Sequence, residues 1–309
     1  MMMSGGMVMN NQPDYLLSKY TFGTKIGEGN FGCVWKAFDN HSGEIVAIKV
    51  LKGKEYSWEE AQNLQEVKLL CEIDHPNIIE LKELVLGEAG VLYLVFEYMD
   101  CNLGKLIRDK GEGERFFSEF EIRNYCFQIL KGLDYMHKHG NFHCDLKPDN
   151  ILVSGDVIKI ADLGCAQEFL SNSPYPQYIT TRWYRAPEVL LHSEYGSAID
   201  MWAMGAIMAE LFILSPLFPG DRGYCRKKQL NNQLNMICNI MGSPDETSWV
   251  KKSAKYYRFP QFQIIQFDMV MPDVSKEAID LMTSLLSWNP SKRANGCRGS
   301  TPSILQAML

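Results

Sequence analysis

Three side chains in one short stretch could hold a hard cation: Asp145, Asn150 and Asp162. Two apolar runs, 151–153 and 157–160, lie between the second and the third. Ser154-Gly155-Asp156 separates the runs and reads as a tight turn, so the runs are expected to form a β-hairpin. Asp145 and Asn150 sit at one mouth of that hairpin, and Asp162 follows its far strand. A hairpin brings its two ends together, so the three oxygen-bearing groups are expected to converge. Carboxylates plus an amide are the ligands Mg²⁺ takes when phosphate oxygens complete its shell.

The elements that must position these groups are legible on either side. Tyr20 to Val50 alternates apolar and polar residues and reads as three antiparallel strands. Between the first two lies Gly27-Glu28-Gly29-Asn30-Phe31-Gly32-Cys33-Val34, where glycines let a backbone approach phosphate oxygens. Such a string also fits any glycine-rich turn, and a dinucleotide site would need a helix directly after it. A strand, Cys33 to Phe38, follows instead, which favours a lid over phosphates. The third strand ends in Val46-Ala47-Ile48-Lys49. Ser57-Trp58-Glu59-Glu60 is a capping box that opens a helix with Ala61, Leu64, Val67 and Leu70 at helical spacing. Strands are expected over Ile78 to Leu86 and Val91 to Glu97. A second capping box, Ser118-Glu119-Phe120-Glu121, opens a long helix whose Ile122, Tyr125, Cys126, Ile129, Leu130, Leu133 and Met136 form a buried stripe. Ala198 to Leu214 reads as an apolar helix, with further helices at about 227–240 and 275–287.

Composition excludes several classes. The 309 residues are 46% apolar, ample for a core, and the net charge of −6 offers no basic field for nucleic acid. No stretch approaches the roughly 18 apolar residues of a membrane span. Nine cysteines, scattered without metal-type spacing, read as the reduced thiols of a cytoplasmic protein. Cys33, Cys101, Cys144 and Cys165 fall near the glycine-rich and polar loops, either as redox-sensitive or ligand-reactive thiols or as ordinary small residues.

His143-Cys144-Asp145-Leu146-Lys147-Pro148-Asp149-Asn150, Asp162-Leu163-Gly164, Val46-Ala47-Ile48-Lys49 and Ala186-Pro187-Glu188 resemble the catalytic-loop, metal, lysine-strand and A-P-E motifs of protein kinases. The order of motifs is kept from about Tyr20 to Arg293. The resemblance implies an α+β, two-lobed kinase fold: an antiparallel sheet with a helix αC, then a larger, mainly helical lobe. Residues 1–13 are expected to be a disordered leader, 14–98 the smaller lobe and 99–309 the larger, with Tyr98-Met99-Asp100 as the hinge. It also implies Mg·ATP as cofactor. Catalysis would fall to Asp145, Lys147, Lys49 and Glu66. Glu66 is preferred as the partner of Lys49, with Glu59, Glu60 and Glu72 as rivals. ATP would be held by Ile26, Gly27, Glu28, Gly29, Gly32, Val34, Ala47, Lys49, Phe96, Glu97, Met99, Asn150, Leu152 and Asp162, with Mg²⁺ on Asn150 and Asp162. Phe96 would narrow the back of the adenine site, and Arg293 would pair with Glu188.

Lys147 within Asp-Leu-Lys-Pro-Asp-Asn is the serine/threonine form of the loop. Thr181-Arg182-Trp183-Tyr184-Arg185-Ala186-Pro187-Glu188 resembles the group of the MAP kinases and cyclin-dependent kinases, in which proline after the phosphoacceptor is favoured. Tyr56-Ser57-Trp58-Glu59-Glu60, His137-Lys138-His139-Gly140-Asn141-Phe142-His143 and Arg258-Phe259-Pro260-Gln261 are similar to the MAK/RCK branch (male germ cell-associated kinase-like). Protein substrates are implied. A monomer is expected, and no cyclin, because no PSTAIRE string opens αC. A place at a cilium, flagellum or nucleus follows only from the branch. A pseudokinase scaffold and a small-molecule kinase are rival readings, disfavoured by the intact Lys49, Asp145, Asn150 and Asp162 and by the A-P-E segment.

Four departures stand out. Cys144 replaces the Arg that in kinases clamps the activation-loop phosphate. The branch's Thr-x-Tyr motif falls on Pro176-Gln177-Tyr178, without its Thr. Both halves of a phosphothreonine–arginine pair are therefore absent together, and activation is expected either through Tyr178, with Arg182 and Arg185 as cations, or without phosphate. Leu163 replaces Phe and is expected to pack as it would. Residues 294–309 make an atypical end to the larger lobe.

Overall fold

A computed structural model describes residues 8–10, 15–29, 32–51, 53–168, 182–220, 226–244, 257–265 and 267–294. Asn30 and Phe31, the expected Pro176-Gln177-Tyr178 motif with Thr181, and residues 295–309 lie outside them. The chain forms two compact units, Met1–Cys101 with Leu152–Gly164, and Asn102–Ile151 with Cys165–Leu309.

The first unit is built on a six-stranded sheet: β1 (Val8–Asn10), β2 (Tyr20–Gly29), β3 (Gly32–Asp39), β4 (Ile45–Leu51), β5 (Leu81–Leu86) and β6 (Leu92–Glu97), in the order β1-β5-β6-β4-β3-β2. Alternation sorts β4 cleanly. Val46 and Ile48 are buried in a core with Ala37, Val85 and Val95, and Ala47 and Lys49 face the other way.

Two features depart from the sequence reading. Val8–Asn10, within the expected disordered leader, is a strand parallel to Glu83–Val85. Helix α1 (Tyr15–Lys19) then lays Leu16 on the core of the sheet. Strand pairing is made by the backbone, so an open sheet edge captures a segment with no periodic side-chain signal. The second departure is in αC. It opens on Ser57, whose capping box with Glu60 is formed, but it breaks at Leu64 (φ −60°, ψ 130°) into α2 (Trp58–Asn63) and α3 (Gln65–Glu72). No proline or glycine marks the break. Its result is that Glu66 stands in the first turn of α3, where the helix dipole favours a carboxylate.

The expected hairpin is present, Ile151–Ser154 paired with Val157–Ile160 around Gly155 (φ 54°). Its second strand is stitched to the loop before β5: Ile79 N–H donates to Ile160 O (2.9 Å), Ile160 N–H to Asn77 O (2.9 Å) and the Asn77 amide to Ile158 O (3.0 Å). Asp162 follows directly, so this stitching sets its place in the first unit.

The second unit is helical. α4 (Leu103–Glu112) is capped by Asn102, and α5 (Glu119–Lys138) by the Ser118 box; all seven stripe residues of α5 named above are buried. After α6 (Pro187–Leu190), α7 (Ala198–Ile213) runs through the centre with every residue from Ile199 to Leu211 buried. Trp202 stacks on Phe218 at 5.6 Å. No helix among the described residues is long and apolar enough to cross a membrane.

Arg293 is buried and bidentate on Glu188, 2.5 Å from Nη1 to Oε1 and 2.7 Å from Nη2 to Oε2. Its other N–H groups donate to the Ser287, Ala198 and Trp288 carbonyls at 2.7, 3.0 and 3.2 Å. All five donors of the guanidinium are thus used, a fork that lysine cannot reproduce. Arg293→Met should cost about 3–5 kcal/mol by leaving Glu188 charged in the core. Adding Glu188→Met should recover part of that loss. Urea midpoints at unchanged slope would check both.

Candidate functional site

The candidate residues fall into two sets, one in each unit. In the first, Lys49 lies on β4 opposite Val34 and Leu94 in its neighbours. Its Nζ is 2.7 Å from Glu66 Oε1 and 3.5 Å from Asp162 Oδ1. Burial works against a charge on Lys49, but the Glu66 and Asp162 carboxylates outweigh it, so its pKa is raised. Among the rivals of Glu66, Glu60 is committed to the Ser57 cap and to Lys54 at 2.8 Å. Asp162 adopts a left-handed backbone (φ 62°), rare for a non-glycine residue and a strain that concentrates at functional sites. A Cβ on Gly164 would lie 3.4 Å from Glu66 Oε2 and 3.6 Å from Asp162 Oδ1, so glycine keeps the space beside both carboxylates clear.

The glycine-rich turn divides by role. A Cβ on Gly32 would sit 2.1 Å from Val50 O, so this glycine is required by the close approach of β3 to β4 rather than by a ligand. Gly29 has nothing within 4 Å of its missing Cβ, and its backbone is open to an approaching group. Glu28 is engaged by Lys25. Ile26 is exposed, and Val34, Ala47 and Leu152 are half-buried, an apolar surface that the core does not use. Phe96 and Met99 are buried. Glu97 is fixed by Lys159 at 2.6 Å, and its backbone N–H goes to Glu80 O at 3.3 Å, so an adenine contact from Glu97 would come from its carbonyl.

The second set is built on Asp200, buried in the first turn of α7. Its Oδ2 accepts the His143 backbone N–H at 2.8 Å and faces His137 Nε2 at 2.8 Å; its Oδ1 accepts the Cys144 N–H at 3.0 Å. Cys144 is left-handed (φ 69°). The Asp145 N–H donates to His143 Nδ1 (3.2 Å), Lys147 Nζ is 2.5 Å from Asp145 Oδ2, and the Asn150 amide donates to Asp145 O (2.9 Å). That bond occupies the nitrogen of Asn150, so its oxygen is the atom that could meet a hard cation. Asp145 and Arg185 line one small cavity together with Cys144, Tyr184 and Asp200.

The donors present suit Mg²⁺ carried by phosphate better than an all-protein metal site. The Asp162 carboxylate in the first unit, or the Asn150 amide in the second, would by itself leave most of the shell to phosphate and water. Among the described residues no cluster of three or more His, Cys, Asp or Glu could hold a metal ion by itself.

Reading the sequence alone missed three buried polar groups. His137 and Glu83 lie inside otherwise apolar elements; Glu83 takes the Tyr20 hydroxyl at 2.6 Å and Lys19 at 2.9 Å. Glu210 had a signal, since Asp200 and Glu210 are the charged residues of apolar α7. It accepts the Tyr184 hydroxyl at 2.7 Å.

The protein kinase domain model matches residues 20–306. The chain is 52% identical to cyclin-dependent kinase F-4 of rice (Oryza sativa subsp. japonica) over 274 residues, 87% of this chain and 57% of that protein. It is 46% identical to the human serine/threonine-protein kinase MAK over 283 residues, 90% of this chain and 44% of that protein. A mouse relative, serine/threonine-protein kinase ICK, is 45% identical over 283 residues, 90% of this chain and 43% of that protein. The chain therefore spans about half the length of the curated relatives it matches.

Burial, aided by Asp149 and opposed by the Tyr184 hydrogen bond and Arg108, raises the Glu210 pKa from 4.5 to about 7. From about pH 4.5 to pH 7 the unfolded chain has lost this proton and the folded chain keeps it. This contribution is therefore complete below that window and falls by up to about 1.4 kcal/mol per unit as pH rises through it. Glu210→Gln should flatten the slope, measured by urea unfolding at about pH 5 and about pH 7.5.

Proposed function

The chain belongs to the protein kinase family, and on that premise we propose that it transfers the γ-phosphoryl group of ATP to serine and threonine hydroxyls of proteins, favouring sites followed by proline. The observation that carries this reading is the Lys49 ammonium, held between Glu66 and Asp162 at 2.7 and 3.5 Å. Phosphoryl transfer needs positioning and charge neutralisation rather than a covalent intermediate, and the residues here are carboxylates, an amide and lysines with no nucleophile among them. Mg²⁺, when bound with ATP, neutralises phosphate charge and aligns the reacting oxygens; Asp162 and Asn150 would hold it.

Lys49, oriented by Glu66, pairs with the α- and β-phosphates. Ile26, Val34, Ala47, Phe96, Met99 and Leu152 enclose the adenine, and the turn over 27–32 shields the phosphates from water. Asp145 orients the substrate hydroxyl and accepts its proton, and Lys147 places positive charge on the phosphoryl being transferred. Asp145 and Arg185 share a cavity wall, which supports a substrate pocket in which the residue after the phosphoacceptor sits beside Arg185.

The chain acts as a monomer in the cytoplasm and without a cyclin. Cyclin dependence is in the printed name of the rice relative; here the Lys49–Glu66 pair is formed within one chain, which supports independence from a partner. Activation runs through phosphorylation of Tyr178, since Cys144 stands where an arginine would clamp a phosphothreonine.

The test is Mg·ATP-dependent phosphorylation of a basic protein by the purified chain, with modified sites read by mass spectrometry. Wild type should phosphorylate Ser/Thr-Pro sites, and Asp145→Asn should be slower by about 10²–10⁴-fold. Tyr178→Phe should lower activity, and full activity in that variant would remove the tyrosine switch. Nucleotide binding with no transfer by wild type would leave a scaffold in place of an enzyme.

A further inference from the structure

Strand β1 and helix α1 stand ahead of the stretch that the protein kinase domain model matches, 20–306. They are built into the first unit all the same. Val8 lies opposite Glu83 in the parallel pair of β1 with β5. Leu16, 3% exposed, sits in a core with Tyr20, Val46, Ile48, Val85 and Val95, on the face of β4 that Lys49 turns away from. The Glu83 carboxylate is buried, and its Oε2 accepts the Tyr20 hydroxyl (2.6 Å) and the Lys19 ammonium (2.9 Å). Lys19 O accepts the Asn40 N–H at 2.8 Å, which ties α1 to the turn after β3. Burial, then Glu83, raises the Tyr20 pKa, so the hydroxyl keeps the proton that it donates.

β1 and β2 are the two edges of the sheet, and β5 is next to β1. A hydrogen bond from the first residue of β2 to Glu83 of β5 means that the sheet curls, with Leu16 inside the curl. From this root β2 runs to the glycine-rich turn with little support between. It is an edge strand, and its register with β3 shifts between Phe22 and Lys25 and again between Lys25 and Gly27. Each shift interrupts the ladder, so the course of β2 is set largely at its start.

We propose that Leu16, Tyr20 and Glu83 are positioning residues for the nucleotide lid: together they hold the root of β2 and so aim the glycine-rich turn at ATP. Leu16 and Tyr20 pack on the face of β4 opposite Lys49, so they act through β2 and not by touching the nucleotide. With the root released, only the fraction of molecules whose lid is in place holds ATP, and the apparent affinity falls by that fraction. Turnover at saturating ATP keeps its rate, because Asp145 and Lys147 belong to the other unit.

The effect on ATP rests on the kinase reading above; the hold on β2 does not. The test is amide hydrogen exchange of the full chain, read by mass spectrometry, with ATP binding by calorimetry and steady-state phosphotransfer alongside. Tyr20→Phe keeps the ring and removes one hydrogen bond to a charged acceptor, so exchange in β2 should quicken by about tenfold. Leu16→Asp puts a charge inside the curl. It should quicken that exchange further and raise Kd and KM for ATP by about tenfold at unchanged kcat. Leu16→Met keeps an apolar side chain of similar volume and should behave as wild type. Exchange in α5 and α7 should stay as it is in every variant. Unchanged exchange in β2 in either Tyr20→Phe or Leu16→Asp overturns the proposal. Exchange that quickens equally in β2 and α7, or activity lost through kcat at unchanged KM, is general destabilisation and overturns it as well. Faster exchange in β2 at unchanged ATP affinity overturns the link to the lid. A wild-type chain that binds no ATP speaks against the kinase reading, and the exchange still decides the hold on β2.

Discussion

The loop that carries Asp145 depends on one buried carboxylate. Asp200 accepts the backbone N–H groups of His143 and Cys144 and meets the ring of His137. A left-handed backbone at Cys144 costs on the order of 1–2 kcal/mol, and each hydrogen bond to a charged acceptor is worth roughly 1.5–3 kcal/mol. Two such bonds outweigh the strain. The rest of the loop follows from that turn: Asp145 sits on His143, Lys147 reaches Asp145 Oδ2, and Asn150 is oriented by the Asp145 carbonyl. Asp200 is itself fixed by a helix that is buried from Ile199 to Leu211, and the Glu188–Arg293 pair binds the helix start through Ala198 O.

In the first unit the organising charge is Lys49. Left alone at that depth an ammonium would lose its proton; two carboxylates keep it charged. Their supply comes from unrelated pieces of chain. Glu66 comes from the start of a helix that the break at Leu64 re-phases, and Asp162 comes from a hairpin stitched to Asn77 and Ile79. The N-terminal strand widens the same sheet and α1 covers its core with Leu16, while Glu83 is buried beneath Lys19 and Tyr20.

Where local chemistry decides local structure, the sequence was readable. The two capping boxes, the Gly155 turn and the stripe of α5 each carry their own signal within a few residues, and each stands in the structure as read. What was not readable depends on tertiary surroundings. The αC break has no glycine or proline to announce it. β1 joins the sheet through its backbone, which no side-chain pattern records. Gly32 matched a phosphate-loop motif but owes its identity to Val50 O across the strand. His137 sits beside Met136 on a buried helix, and nothing in its neighbours points to a carboxylate 63 residues away.

The dependence of the loop on Asp200 is tested most directly by Asp200→Asn, assayed for ATP affinity and phosphotransfer in one folded preparation. The amide must turn a nitrogen toward one of the two N–H donors, so one bond is lost and the turn at Cys144 relaxes. The account predicts ATP affinity close to wild type, since Lys49, Glu66 and Asp162 belong to the other unit, with phosphotransfer lower by about a hundredfold. Phosphotransfer at the wild-type rate would contradict it, because Asp145 would then be held by something other than Asp200.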